Sequence, residues 1–498
     1  MKPRHIKLII FIAAVGTVFQ AQSQETTVIP TSLTIEQALD IAEDNNPTLK
    51  QRKLSYERTQ FLLKAQLAAL KSNFSLTLNP VSYNKTRQYD DYNVQWFTNE
   101  TFSSGATFQV QQPILLTDGT ISLTNTFGWQ NTFAEKIGGS STNKAFSNNL
   151  SLQLSQPVFT YNRTKLQIKQ LEINNENASI QYALQRLTLE QNITRQFYSV
   201  YTAQERLRIS QEELKNEEQN YEIVKNKVEA DMFRREELYQ AEYSLATSRS
   251  SVESNQVDLD NAKDQLKQTL GMPLDEPINV KAEIVASEVA IDLEHAIQHG
   301  LASRLELRTR ELEEELAELT MITTQDQNKF KGNVNLSVGI MGDNERMRNI
   351  YDNPTQNPRV QVSFSVPIFD WGERRARINA QKASQTIAKL ESEDQKISIE
   401  LEIRQTWRDL ENLRLQIANN QKNIDNAQLT YDLNLIRYRE GELTGLQISQ
   451  YQAQLSSAKL TYLSSLIQYK QAVLNLKIMA LYDYEKDQPI VPVRELKN

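Results

Sequence analysis

The 498-residue chain has no cysteine and only three histidines. Zero cysteine excludes disulfides, thiolate nucleophiles and cysteine-ligated metals, so stability must come from packing. It also removes the residue that carries a lipoprotein's lipid, and an unlipidated protein is expected. Of the histidines, His5 lies in the leader, which leaves His295 and His299. Their i, i+4 spacing would set two imidazoles on one helix face, as in a zinc site, but no third ligand accompanies them. They read as surface histidines, and no catalytic residue, metal or cofactor is expected.

Long apolar runs are absent after the first two dozen residues. Leu8 to Phe19 is apolar, follows Lys2, Arg4 and Lys7, and precedes the small residues Ala21 and Ser23, which reads as a signal peptide over residues 1–23. Beyond it nothing approaches the 18 or so residues of a membrane-spanning helix. An inner-membrane address is therefore disfavoured, while an outer-membrane β-barrel stays open. The net charge of −7 is spread along the chain with no basic cluster among aromatics, so no nucleic-acid partner is expected.

Glycine and proline are missing from two long stretches. None occurs between Pro157 and Gly271, and between Glu373 and Pro489 the only ones are Gly441 and Gly445. These stretches belong to a gapless repeat in which Pro157 to Gly271 aligns with Pro367 to Leu481 at an offset of 210. In the first copy apolar residues recur every seventh position at Ile193, Val200, Leu207, Leu214, Tyr221 and Val228, then in shifted phase at Leu238, Leu245, Val252, Leu259 and Leu266. The second copy matches with Ile403, Leu410, Ile417, Ile424, Tyr431 and Tyr438, then Ile448, Leu455, Tyr462, Tyr469 and Leu476. A seven-residue period makes a narrow helix-pairing seam, and the phase break near Asp231 and Gly441 predicts that the chain turns back there. Each copy is thus a coiled-coil hairpin with arms of about 100 Å at 1.5 Å per residue.

Ahead of each hairpin, strands alternate: Val360, Val362, Phe364, Val366 and Ile368 fall on one face, Arg359, Gln361, Ser363 and Ser365 on the other. Val334 to Ile340, Phe74 to Leu78 and Leu150 to Leu154 repeat the pattern. Strands of about ten residues with this dyad fit either a membrane barrel or a sheet on a soluble core; the signal peptide and long helices favour the barrel. Four strands per chain cannot close alone, so several chains would share one barrel. Helices over residues 34–71 and 291–324 also correspond, at an offset of 258, so the chain divides into repeats at 24–280 and 281–483 and an irregular tail at 484–498. The changed offset marks an insertion of about 48 residues between Leu78 and Leu150. With Asp118-Gly119 at a turn, it forms either an extra transmembrane hairpin, making six strands per chain, or an external cap. Polar loops are expected around Tyr83 to Glu100 and Gly342 to Asn357.

Three motifs carry a family resemblance: Leu33-Thr34-Ile35-Glu36-Gln37-Ala38-Leu39 with Asn46-Pro47, Pro367-Ile368-Phe369-Asp370-Trp371-Gly372 with Arg374 and Arg375, and Tyr438-Arg439-Glu440-Gly441 through Ser449. Over essentially the whole mature chain the sequence resembles the TolC-like outer-membrane efflux channels. The resemblance implies a homotrimer, mainly α, whose long hairpins form an α-barrel across the periplasm and whose strands share one transmembrane β-barrel among outer-membrane lipids. It implies a passive exit duct, not an enzyme, served by a periplasmic adaptor and an inner-membrane transporter of RND, ABC or MFS type.

The resemblance assigns Asp231, Met232, Gly441, Glu442 and Leu443 to adaptor docking at the tips. It assigns Pro157, Phe159, Pro367, Phe369 and Trp371 to the strand-to-helix junctions. The family's tip closes through charged and hydrogen-bonded side chains. Its acidic ring positions fall on the neutral Gln447 and Gln450, with Glu237 at the matching place in the first copy. Arg234, Arg437 and Arg439 are further gate candidates, or else solvated charges worth under about 1 kcal/mol per exposed pair. The competing reading, a periplasmic adaptor or surface coiled-coil adhesin, leaves the duplication and the alternating strands unexplained.

Overall fold

The computed structural model describes residues 32–91, 94–136, 139–282 and 291–490; the leader expected over residues 1–23 and residues 491–498 lie outside them. The first repeat runs α1 (Ile35–Asn45), α2 (Pro47–Ala68), β1 (Asn73–Asp90), β2 (Gln95–Ile114), β3 (Gly119–Lys136), β4 (Gly139–Val158), α3 (Arg163–Glu229) and α4 (Arg235–Leu270). The second runs α5 (Leu293–Ser303), α6 (Leu305–Asp326), β5 (Lys331–Asn344), the short β6 (Thr355–Gln356), β7 (Arg359–Ser365), α7 (Glu373–Glu440) and α8 (Gly445–Ala480).

The single helices expected over residues 34–71 and 291–324 are each two. Asn46 is extended, its carboxamide caps the backbone N–H of Leu49 at 2.9 Å, and Pro47 cannot continue the preceding helix. Arg304 stands at the equivalent break and pairs with Glu306 and Glu402 at 3.2 and 2.9 Å. Asn46 also donates to the Thr269 carbonyl (2.7 Å) at the end of α4, so each break clamps a short helix onto its own hairpin.

Every heptad position named from the sequence is buried or half-buried, which is the packing a seven-residue seam demands. The α3–α4 base is closed by α1, where Ala38 and Ala42 meet Ile193, Phe197, Val200, Leu266 and Leu270. The α7–α8 base is closed by α5, where Ala296 and Ile297 meet Ile403 and Leu476. His295 and His299, expected on the surface, are half-buried and pack on each other (4.4 Å) and on Tyr482 (5.1 and 4.7 Å). Among the described residues no group of three or more His, Cys, Asp or Glu could hold a metal.

The sheet runs β1-β2-β3-β4-β5, and β7 and β6 pair along the far edge of β5. The insertion is the β2–β3 hairpin, laid between β1 and β4 in the plane of the sheet, with Leu115 to Asp118 as its turn. Register aligns Phe74, Val110, Leu123, Leu152 and Val338 in one row and Leu76, Phe108, Asn125, Leu150 and Ile340 in the next. The opposite face carries Ser75, Gln109, Thr124, Ser151 and Gly339. Strands β1 to β4 have 18 to 20 residues, not the ten expected. The supposed loop from Tyr83 to Glu100 is instead the paired outer part of β1 and β2, with Tyr83 against Phe102 and Tyr89 against Trp96. Its side chains are too polar to alternate, but ladder pairing needs only backbone groups. Of the tail, residues 484–490 are described: β9 (Gln488–Pro489) pairs with β8 (Tyr482–Asp483), and the Lys477–Asp483 ion pair (2.8 Å) fastens this small hairpin to α8.

Phe197 is 1% exposed, and truncation to alanine is expected to lower stability by about 3–5 kcal/mol in denaturant unfolding of the solubilised protein. Gly271 has φ +72°, and a Cβ there would stand 2.5 Å from the Asn45 carbonyl oxygen. Gly271→Ala is expected to lower the unfolding midpoint as well, through left-handed strain of about 1–2 kcal/mol and displacement of α1. An unchanged midpoint for either variant contradicts this account of the hairpin base.

Candidate functional site at the helical tips

Both hairpins turn through a left-handed residue, Asp231 at φ 55° and Gly441 at φ 88°. In the first tip, Met232 is 70% exposed, Lys227 stacks 4.7 Å over the Phe233 ring, and Arg234 begins α4 without a side-chain cap. In the second, Arg437 pairs with Glu442 at 3.0 Å, both more than half exposed, and Leu443 is half-buried beside them. Thr444 and Gln447 form a capping box: the Thr444 N–H donates to the Gln447 side chain (3.0 Å), and the Gln447 N–H donates to the Thr444 hydroxyl (3.4 Å). Gln447 is thereby committed to starting α8. Gln450 and Arg439 are exposed, and Glu237 lies in the first turn of α4.

A polar contact between the two hairpins stands above the tips and involves residues that the sequence pattern did not single out as a gate; nearer the base, Gln191 on α3 also donates to Asn475 on α8 at 3.3 Å. Ser449 on α8 donates to Glu217 on α3 at 2.9 Å, and Tyr438 on α7 donates its hydroxyl hydrogen bond to the Asn220 side-chain oxygen. Asn220 in turn donates to Glu217 at 3.4 Å. Glu217 is 9% exposed. It sits three residues beyond Leu214, the second position of the coiled-coil seam, where its counterpart in the other copy is the buried Ala427. An acid at a seam position was the signal available in the sequence. These residues with Arg439 line a cavity of about 120 Å³. Burial, with the charges of Glu217 and Glu237, pushes the Tyr438 hydroxyl up to about 12.

At the opposite end of the hairpins the junction residues divide into two groups. Pro157 closes the β4 ladder opposite Asn333, and Phe159, at φ 64°, meets Phe330 (5.2 Å), which stacks on Phe364 (5.5 Å). Pro367, Phe369 and Trp371 are exposed, Trp371 by 90%, and the last two meet edge to face at 4.7 Å. Asp370 accepts from the Gly372 and Arg374 N–H groups (3.0 and 3.1 Å), which starts α7 and holds its carboxyl below the usual range. Exposed aromatics here and at the far end of the sheet bracket the apolar rows, as they do in bilayer-spanning barrels.

The outer membrane efflux protein family model matches residues 119–272 and 296–480, well over half of the chain. The chain belongs to that family. No curated protein matches. The outer-membrane efflux protein shares its fold with the Campylobacter jejuni outer membrane channel CmeC at 15% identity and TM-score 0.70, over 93% of this chain and 88% of that one. The open state of the Neisseria gonorrhoeae MtrE channel matches at 15% and 0.65, over 91% and 90%. Vibrio cholerae VceC matches at 12% and 0.65, over 90% and 95%.

This efflux protein is an outer-membrane exit duct of a tripartite system, as expected from its motifs. Tripartite assembly brings an adaptor and an inner-membrane transporter to it.

The raised Tyr438 pKa gives a pH test. The protonated phenol is favoured in the folded state, so its contribution is complete below pH 10 and is lost as pH rises toward 12. In an alkaline absorbance titration, Tyr438→Phe is expected to remove one ionisation near pH 12 while leaving the steps near 10 unchanged. Loss of a step near 10 instead means that the hydroxyl is not held in the seam.

Proposed function

We propose that the duct is a homotrimer closed at rest by the contact between its two hairpins at Glu217, Asn220, Tyr438 and Ser449. The buried carboxylate across the seam carries this reading. Apolar packing would hold the hairpins in one arrangement, whereas a polar contact exchanges its partners for water at a net cost of about 1–3 kcal/mol per bond. The hairpins therefore separate without breaking their own α3–α4 or α7–α8 seams. Arg439 and Glu237 act at the edge of this latch. Arg437, paired within its own tip, contributes little, Gln447 serves as a cap, and Arg234 and Gln450 remain exposed positions for contacts between protomers.

Asp231, Met232, Gly441, Glu442 and Leu443 form the surface that an adaptor grips, and the transporter behind it is of the RND, ABC or MFS type. Trimer closure is supported by an exposed apolar stripe along α7, which includes Leu401, Leu415, Leu429, Leu433 and Ile436 and recurs at heptad-related spacing. Export by the leader at residues 1–23 without lipidation completes the reading. Single-channel recording in planar bilayers tests the latch. Wild type is expected to give small flickering currents, and Tyr438→Phe with Ser449→Ala sustained currents several-fold larger. Arg437→Ala alone should change little. A double variant that assembles normally yet conducts like wild type removes the latch.

A further inference from the structure

We propose that the β2–β3 hairpin is part of the membrane wall, so that each chain supplies six strands, β1 to β5 and the seven-residue β7, and the trimer closes as an 18-stranded barrel, β1 of one protomer pairing with β7 of the next. This rests on the trimeric reading above. The sequence left the inserted segment as wall or cap, and three independent observations make it wall.

The first is register. Val110 and Phe108 on β2 and Leu123 and Ile121 on β3 continue the apolar rows begun by Phe74 and Leu76 on β1 and resumed by Leu152, Leu150 and Leu154 on β4. Phe108, Ile121 and Leu123 are 43%, 39% and 38% exposed, comparable to Leu150 and Leu152 at 38% and 46%. Among the described residues nothing covers this face, and only hydrocarbon suits a continuous apolar surface of this kind.

The second is anchorage. The β2–β3 turn is fastened at the strand-to-helix junction. Asp118 accepts from the Thr164 N–H and hydroxyl at 3.1 and 2.6 Å, Asn162 donates to the Leu115 carbonyl at 2.6 Å, and Gln156 donates to the Thr117 carbonyl at 2.7 Å. At the other side Gln112 donates to the Leu70 carbonyl beyond the end of α2 at 2.8 Å. A cap on the outer surface would lie a full membrane thickness from these partners, about 30 Å away.

The third is edge accounting. After β2 and β3 take their places, the free edges of the sheet are those of β1 and β7. In lipid both must be paired, and a second copy of the chain supplies the missing partner for each.

With strands about 4.7 Å apart and tilted by about 40°, 18 strands enclose a barrel of roughly 35 Å between opposite backbones, against roughly 24 Å for twelve. The outer-membrane segment is thereby too wide to sort cargo by size, and size selection falls to the helical end.

The chain's lack of cysteine makes the test direct. Single variants Val110→Cys, Leu123→Cys, Leu152→Cys and Thr124→Cys are labelled with a fluorophore and reconstituted into vesicles of brominated phosphatidylcholine. Labels at 110 and 123 are expected to be quenched as strongly as the β4 label at 152, with the polar-face label at 124 bright. Labels at 110 and 123 as bright as 124 overturn the proposal, whereas an unquenched label at 152 overturns the membrane placement of the sheet itself. Polyethylene glycols applied from the barrel side of the latch-opened channel supply the width. Entry of polymers of about 10 Å radius is expected for 18 strands, and their exclusion contradicts the closure even if the hairpin is lipid-facing.

Discussion

Hydrocarbon offers no partner for a peptide N–H or C=O, and this single fact governs the sheet of the efflux protein. A strand can enter the membrane only if both its edges are paired. One chain ends with unsatisfied edges on β1 and β7, so its β portion is not a finished structure by itself. Oligomerisation is then a condition of inserting the sheet, not a later embellishment. The helical part faces the milder requirement of burying seams in water, which an individual hairpin meets with its own second arm.

Duplication supplies the economy of the design, and departures from it supply the function. Ile193 and Ile403, Leu266 and Leu476, and Ala38 and Ala296 take the same places in the two bases. Where the copies differ, the difference has a chemical reading. Asp231 accepts the left-handed turn that Gly441 adopts freely, and Glu217 replaces the alanine of the other copy with a group that reaches across to Ser449.

The hairpins were legible because a seven-residue period and the absence of helix breakers are local properties of the chain. The turns at Asp231 and Gly441 and the apolar rows through Val334 to Ile340 and Leu150 to Leu154 were legible for the same reason. What stayed hidden was non-local or polar. The place of β2 and β3 depends on register with β1 and β4, which no single strand records. The outer part of β1 pairs through backbone groups while its side chains, such as Lys85 and Arg87, give no alternation. The capping role of Gln447 stayed hidden because it depends on Thr444 starting a helix at that point. Glu217 interrupts the apolar seam, but its partner Ser449 lies on a different helix, which the seam pattern does not locate.

The length of β1 to β4 bears on where cargo leaves the duct. At about 3.4 Å per residue these strands run roughly 60 Å, and even steeply tilted they outreach a hydrocarbon core of about 30 Å. With the sheet placed in the membrane as proposed above, the surplus forms a collar standing clear of the outer leaflet. An amphipathic molecule released at its rim emerges into water at a distance from the headgroups, where diffusion away competes with partition back into the same membrane. Height above the lipid thus lowers the share of released cargo that returns to the same membrane, while the direction of transport still comes from the energised end of the assembly.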